Sequence, residues 1–144
     1  MQTKIVVEAE IRPTEDEDKV KRAILNFIDP DKVEIMERGA SKIIYAEAGS
    51  VKSLLKLHRA LRLERVLDAA RNALKRGVQD NRIVFHLHKQ AAYMGRVSIV
   101  SGDVESPLGA IKFEVYYRDP GVFIDWIAPQ TSKGKPLWEI DIED

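Results

Sequence analysis

Lys52, Lys56 and Arg59 recur at the three- and four-residue spacing that places side chains on one face of a helix, and Arg62, Arg65 and Lys75 extend the series. Cations at that pitch suit the phosphates of a nucleic-acid backbone, and a solvated helix face accounts for them equally well. A second cluster, His88, Lys89, Gln90, Tyr93 and Arg96, joins cations, an amide and an aromatic ring, the mixture that contacts single-stranded or structured RNA. Its ring can instead be buried against helices. His86 and His88, two apart in a strand-like run, share a face as strand-borne metal ligands would, with Asp103 or Glu105 as the available third ligand. No distinctive spacing supports a metal there, so ordinary surface histidines are expected. His58 borders an apolar stripe and reads as a hydrogen-bonded structural histidine.

Enzyme signatures are missing. There is no Gly-x-Ser-x-Gly elbow, Walker loop, dinucleotide fingerprint or His-Glu-x-x-His helix. Lys133-Gly134-Lys135 lacks the upstream glycine and following hydroxyl of a phosphate loop, and reads as a solvated turn. Zero cysteines exclude disulfides, thiolate catalysis and cysteine-ligated metals. The expectation is no catalytic residue, no metal and no cofactor.

The 144 residues match one domain, 1–144, and no apolar run approaches the roughly 18 residues of a spanning helix. Residues 1–11 lack the apolar stretch of a signal peptide, so a cytoplasmic protein with no membrane role is expected. Lysine plus arginine and aspartate plus glutamate number 23 each, but the charge is segregated. Residues 51–96 hold eleven basic and three acidic side chains, between flanks that are acidic. This block either forms a positive face or is neutralised by its neighbours.

The elements that must position these residues follow from periodicity. Ile5, Val7, Ala9 and Ile11 alternate as a half-buried strand. Thr14 with Glu17 resembles a capping box ahead of Val20, Ala23, Ile24 and Phe27, and Glu15 to Asp18 place carboxylates in that helix's first turn. Val33 and Ile35, then Ile43 to Tyr45, flank Arg38-Gly39-Ala40-Ser41 as a hairpin. Beyond Gly49-Ser50, at about 100° per residue, Leu54, Leu57, His58 and Leu61 cluster on one side, and Leu63, Val66, Leu67, Ala70 and Leu74 almost opposite. One straight helix cannot bury both stripes, so two helices meeting near Arg62 and stopping at Gly77 are expected. Arg82–His88 alternates as a strand, residues 89–95 interrupt, and Val97 and Ile99 resume. After a loop over 103–109, Ile111 to Tyr117 alternates again, and residues 122–127 read as a further short strand. Trp138, Ile140 and Ile142 alternate with acidic residues, so the segment 137–144 is expected to add as an edge strand to its own sheet or a neighbour's. The expected architecture is α+β: a two-layer sandwich of an antiparallel sheet with helices on one face.

Several phrases together resemble an archaeal family labelled RNA-binding. They are Arg12-Pro13-Thr14-Glu15-Asp16 with Lys19-Val20, Leu57-His58-Arg59-Ala60-Leu61-Arg62, Leu67-Asp68-Ala69-Ala70-Arg71, Lys89-Gln90-Ala91-Ala92-Tyr93, Pro107-Leu108-Gly109-Ala110-Ile111 and Asp125-Trp126-Ile127-Ala128-Pro129. The resemblance spans nearly the whole chain and implies a fold similar to large-subunit ribosomal protein L-five, with no associated catalytic residue or cofactor. It departs from the family pattern at His88, where the family carries Asn. Many of the matching positions, among them Val20, Leu61, Leu67, Ala70 and Trp126, also suit a core or an interface. Two functions are therefore expected: an RNA-binding protein, or a homodimeric scaffold with no nucleic-acid role.

Overall fold

A computed structural model describes residues 2–100 and 109–144. The elements are β1 (Lys4–Ile11), α1 (Glu17–Leu25), β2 (Lys32–Arg38), β3 (Ser41–Ala48), a 3-10 turn (Val51–Leu54) leading into α2 (Leu55–Leu63), and α3 (Leu67–Arg76). Then follow β4 (Val78–Gln79), β5 (Arg82–His88), α4 (Lys89–Tyr93), β6 (Ile99–Val100), β7 (Ala110–Tyr116), α5 (Pro120–Ile127) and the small hairpin β8 (Thr131–Ser132) and β9 (Lys135–Pro136). Among the described residues the main sheet runs β2-β3-β1-β7-β5-β4, with β6 on the outer side of β5, and every pairing is antiparallel.

Strand alternation puts the helices on one face. In register, Ile5 lies between Ala48 and Val115, and Val7 between Ala46 and Phe113, which in turn faces Phe85. These side chains merge with Val20 and Ile24 of α1, Leu57 and Leu61 of α2, Leu67 and Leu74 of α3, and Phe123 and Ile127 of α5 into one cluster. The opposite face carries Lys4, Glu47, Lys112, Glu114 and Arg82, joined by ion pairs. The α+β sandwich is thus observed.

The expected break in the middle helix is also observed: α2 ends at Leu63, Arg65 adopts φ 56°, and α3 restarts at Leu67. Leu63 is a correction. It belongs to the last turn of α2, not to the stripe of α3, and is 74% exposed. α1 starts later than a Thr14 cap would have it, because Asp16 accepts the Asp18 amide at 2.8 Å and a carboxylate caps at least as well as threonine. Glu15 is left outside the helix with its side chain turned inward.

Residues 122–127 are not a strand. Asp119 accepts from the Val122 amide, Pro120 occupies the first turn, and Phe123, Ile124, Trp126 and Ile127 are buried at helical spacing in α5. Nor is 137–144 an edge strand. The Trp138 indole N–H donates to the Asp125 carbonyl at 3.1 Å, Ile142 is buried, the Val51 amide donates to Asp144 Oδ1 at 2.7 Å, and the Tyr117 hydroxyl donates to the Glu143 carbonyl. Side-chain partners on the helical side hold the tail as irregular chain. The expected loop at 103–109 lies outside the described residues except for Gly109.

Candidate nucleic-acid interface

The exposed face of α2 presents Lys56 and Arg59 with Leu55 and Leu63, and Lys52 precedes them in the 3-10 turn, which Ser50 caps. Lys52 and Arg59 form no side-chain ion pair among the described residues. Lys56 is half exposed while its ammonium donates to the Leu25 carbonyl at 3.0 Å and meets Asp29 at 3.0 Å.

Arg62 is a different case. Its guanidinium takes Glu139 bidentately at 2.8 and 2.6 Å and donates to the carbonyls of His58, Ile127 and Trp126. With its fork filled, it holds α2, α5 and the tail together and is no free phosphate ligand. The His58 ring lies tilted against Trp126 at 4.8 Å between centroids, and burial, then the Arg62 charge, hold its imidazole below the ordinary value. The ring is held by packing, whereas the expected side-chain hydrogen bond of a structural histidine is not made among the described residues.

The second cluster divides. Lys89 must be corrected: it is fully buried, donating to the Glu10 carbonyl at 2.6 Å and to both Glu15 oxygens at 3.2 and 3.3 Å. The Tyr93 hydroxyl donates to Glu15 Oε2 at 2.5 Å, so its polar end points inward as well. Burial opposes ionisation of Glu15, but the hydrogen bonds from Tyr93, the Arg12 amide and Lys89 outweigh it and hold the carboxyl below its ordinary value. Burial pushes the Lys89 ammonium down despite Glu15 beside it. His88 caps α4, its Nδ1 accepting the Ala91 amide at 3.3 Å. Gln90 and Arg96 remain exposed.

Two residues that the sequence does not mark out tie together the elements bearing the surviving cations. Asn26 at the end of α1 donates to the Ala92 carbonyl at 2.9 Å, and Glu64 after α2 accepts the Val97 amide at 2.8 Å while lying 3.9 Å from Arg96. Lys56 already ties α2 to α1, so the contacts close a circuit through α1, α2 and the turn after α4. The elements it joins carry Lys52, Lys56, Arg59, Arg65, Gln90 and Arg96, all exposed, along with the exposed Leu63 and the 78%-exposed Met94. An exposed asparagine at a helix end is a weak signal, and nothing local marks Glu64 as a bridge.

No group of three histidine or acidic side chains suited to a metal occurs among the described residues, and Asp103 and Glu105 lie outside them. Among the same residues, no helix is long and apolar enough to cross a membrane.

A family model described as RNA binding matches residues 4–117. A UPF0201 protein of Metallosphaera sedula is 51% identical over 137 residues, covering 95% of each chain, and one of Sulfolobus acidocaldarius is 50% identical over 137 residues. The crystal structure of a UPF0201 protein from Methanococcus jannaschii superposes with a TM-score of 0.83 at 33% identity, covering 93% of this chain and 98% of that one. A DUF54 protein from Archaeglobus fulgidus, at 22% identity and a TM-score of 0.58 over 85% of this chain and 92% of its own, shares the fold.

Proposed function

The chain belongs to the UPF0201 family of archaeal proteins, and from that membership we propose that it is a non-enzymatic cytoplasmic protein that grips structured RNA by its phosphates. The observation that carries the reading is that Lys52, Arg59 and Arg65 stay exposed with no ion pair among the described residues, on elements that contacts of Lys56, Asn26 and Glu64 tie to the turn bearing Gln90 and Arg96. With the Tyr93 hydroxyl turned inward and its half-buried ring packed against the core, this surface disfavours base stacking. Its cations therefore address the backbone, and binding is insensitive to base sequence.

Titration of labelled tRNA and ribosomal RNA fragments at several salt concentrations tests this. Affinity is expected to fall steeply with rising salt, and the triple variant K52E/K56E/R59E to bind all the RNAs more weakly by a similar factor and with a shallower salt slope. The competing reading, a dimeric scaffold without a nucleic-acid role, requires no binding even at low salt, and that result would overturn the proposal.

A further inference from the structure

β2 is a seven-residue edge strand, paired to β3 on one side and to no other strand among the described residues. The two-residue turn Gly39-Ala40, with Gly39 at φ 60°, joins it to β3 with Arg38 opposite Ser41. In such a hairpin the residues flanking the turn exchange both backbone bonds, so Arg38, Met36, Glu34 and Lys32 direct their backbone groups at β3. Val33, Ile35 and Glu37 direct theirs outward. Such an edge is a template for another strand unless something covers it. Its side chains are also bare: Ile35 is 39% and Met36 48% exposed.

We propose that this edge pairs antiparallel with the β2 edge of a second copy of the chain, about a two-fold axis at Met36. Charge and overlap together select that register: centred on Val33, Lys32 would also face Glu34, but only residues 32–34 of each β2 strand would lie opposite one another. Opposed residues in an antiparallel ladder share a face, so the axis must pass through a residue and not between two. Centred on Met36, Glu34 of each copy lies opposite Arg38 of the other, the two methionines meet on the axis, and Ile35 and Glu37 exchange the outward backbone bonds. Centred on Ile35, Lys32 would face Arg38; centred on Glu34, the two glutamates would face each other. Of these last three registers only the first sets opposite charges against each other, and like charges directly opposed are destabilising. Arg38 is available for this role, since it forms no ion pair among the described residues; Glu34 is half exposed and among the same residues forms an ion pair only with Lys32, at 3.1 Å.

A two-fold perpendicular to the sheet leaves both helical layers on the same side. The dimer therefore presents two copies of the α2 surface in one direction, although the pairing itself does not depend on what that surface binds.

Sedimentation equilibrium of the full chain, with circular dichroism to confirm folding, provides the test. The wild type is expected to dimerise, E34R and R38E each to weaken the dimer by about tenfold or more, and E34R/R38E to restore it, because reversing both partners recreates the pair. A wild-type chain that stays monomeric at the highest attainable concentration, a dimer that tolerates both single reversals, or a double variant no tighter than the singles would each overturn the proposal.

Discussion

Lys89 shows most plainly how one residue type can serve opposite ends. Beside a glutamine and a tyrosine it has the look of an RNA contact, yet its ammonium lies with Glu15 in the interior, where its partners are the Glu10 carbonyl and the two Glu15 carboxylate oxygens. Removing one member of a buried pair strands the other, so K89M or E15Q is expected to cost about 3–5 kcal/mol. The double variant should cost less than the two together. Denaturant unfolding measures both, as a lower midpoint at unchanged slope. The acid limb carries the same signature. Because the folded state holds Glu15 below its ordinary value of 4.5, its contribution is present in full above that value and is lost as pH falls through the depressed one. E15Q should flatten that part of the stability profile.

Two glycines separate backbone conformation from close approach at the level of elements. Gly39 needs its freedom for φ 60° in the β2–β3 turn, and an added Cβ would meet nothing within 4 Å. Gly77 ends α3 at an ordinary φ of −86°, but a Cβ there would fall 1.9 Å from the Val84 carbonyl oxygen, across the contact that starts the β4–β5 pairing. G39A is expected to cost about 1 kcal/mol from left-handed backbone strain alone. G77A should cost more, about 1–3 kcal/mol, because α3 must move away from β5. Thermal unfolding of the two variants ranks them. Both residues read as turn or stop signals in the sequence, and only the packing distinguishes the two reasons.

For the whole molecule, zero net charge conceals a sorting that the fold performs. The central basic block is neither wholly displayed nor wholly masked. Arg62, Arg71 and Arg82 are matched by Glu139, Asp125 and Glu114 from the acidic C-terminal third, whereas Lys52, Arg59, Arg65, Lys75 and Arg76 form no ion pair among the described residues. The tail thus acts as a strap: it brings Glu139 to Arg62 and buries Ile142 against the core. A chain ending before Trp138 is expected to melt at lower temperature, losing at least the roughly 2–5 kcal/mol of one buried isoleucine. Its oligomeric state should equal that of the full chain, because the β2 edge is untouched. Calorimetry and sedimentation of the truncated chain check the two halves of this expectation.

The alternation of Ile5, Val7, Ala9 and Ile11 and the phase break between the stripes of α2 and α3 are local facts. A strand repeats every two residues and a helix every 3.6, so both could be read without knowing what they pack on. The apolar run 122–127 misleads because a short run of that kind suits either period, and a cap at Asp119 decides it. Which cations face water is not local at all: Lys89 is buried by a carboxylate 74 positions away and Arg62 is filled by one 77 positions away. Local periodicity was enough to establish the two layers and to locate the basic block along the chain; whether that block is displayed or neutralised was settled only on folding, because a side chain's solvation depends on partners that folding brings near.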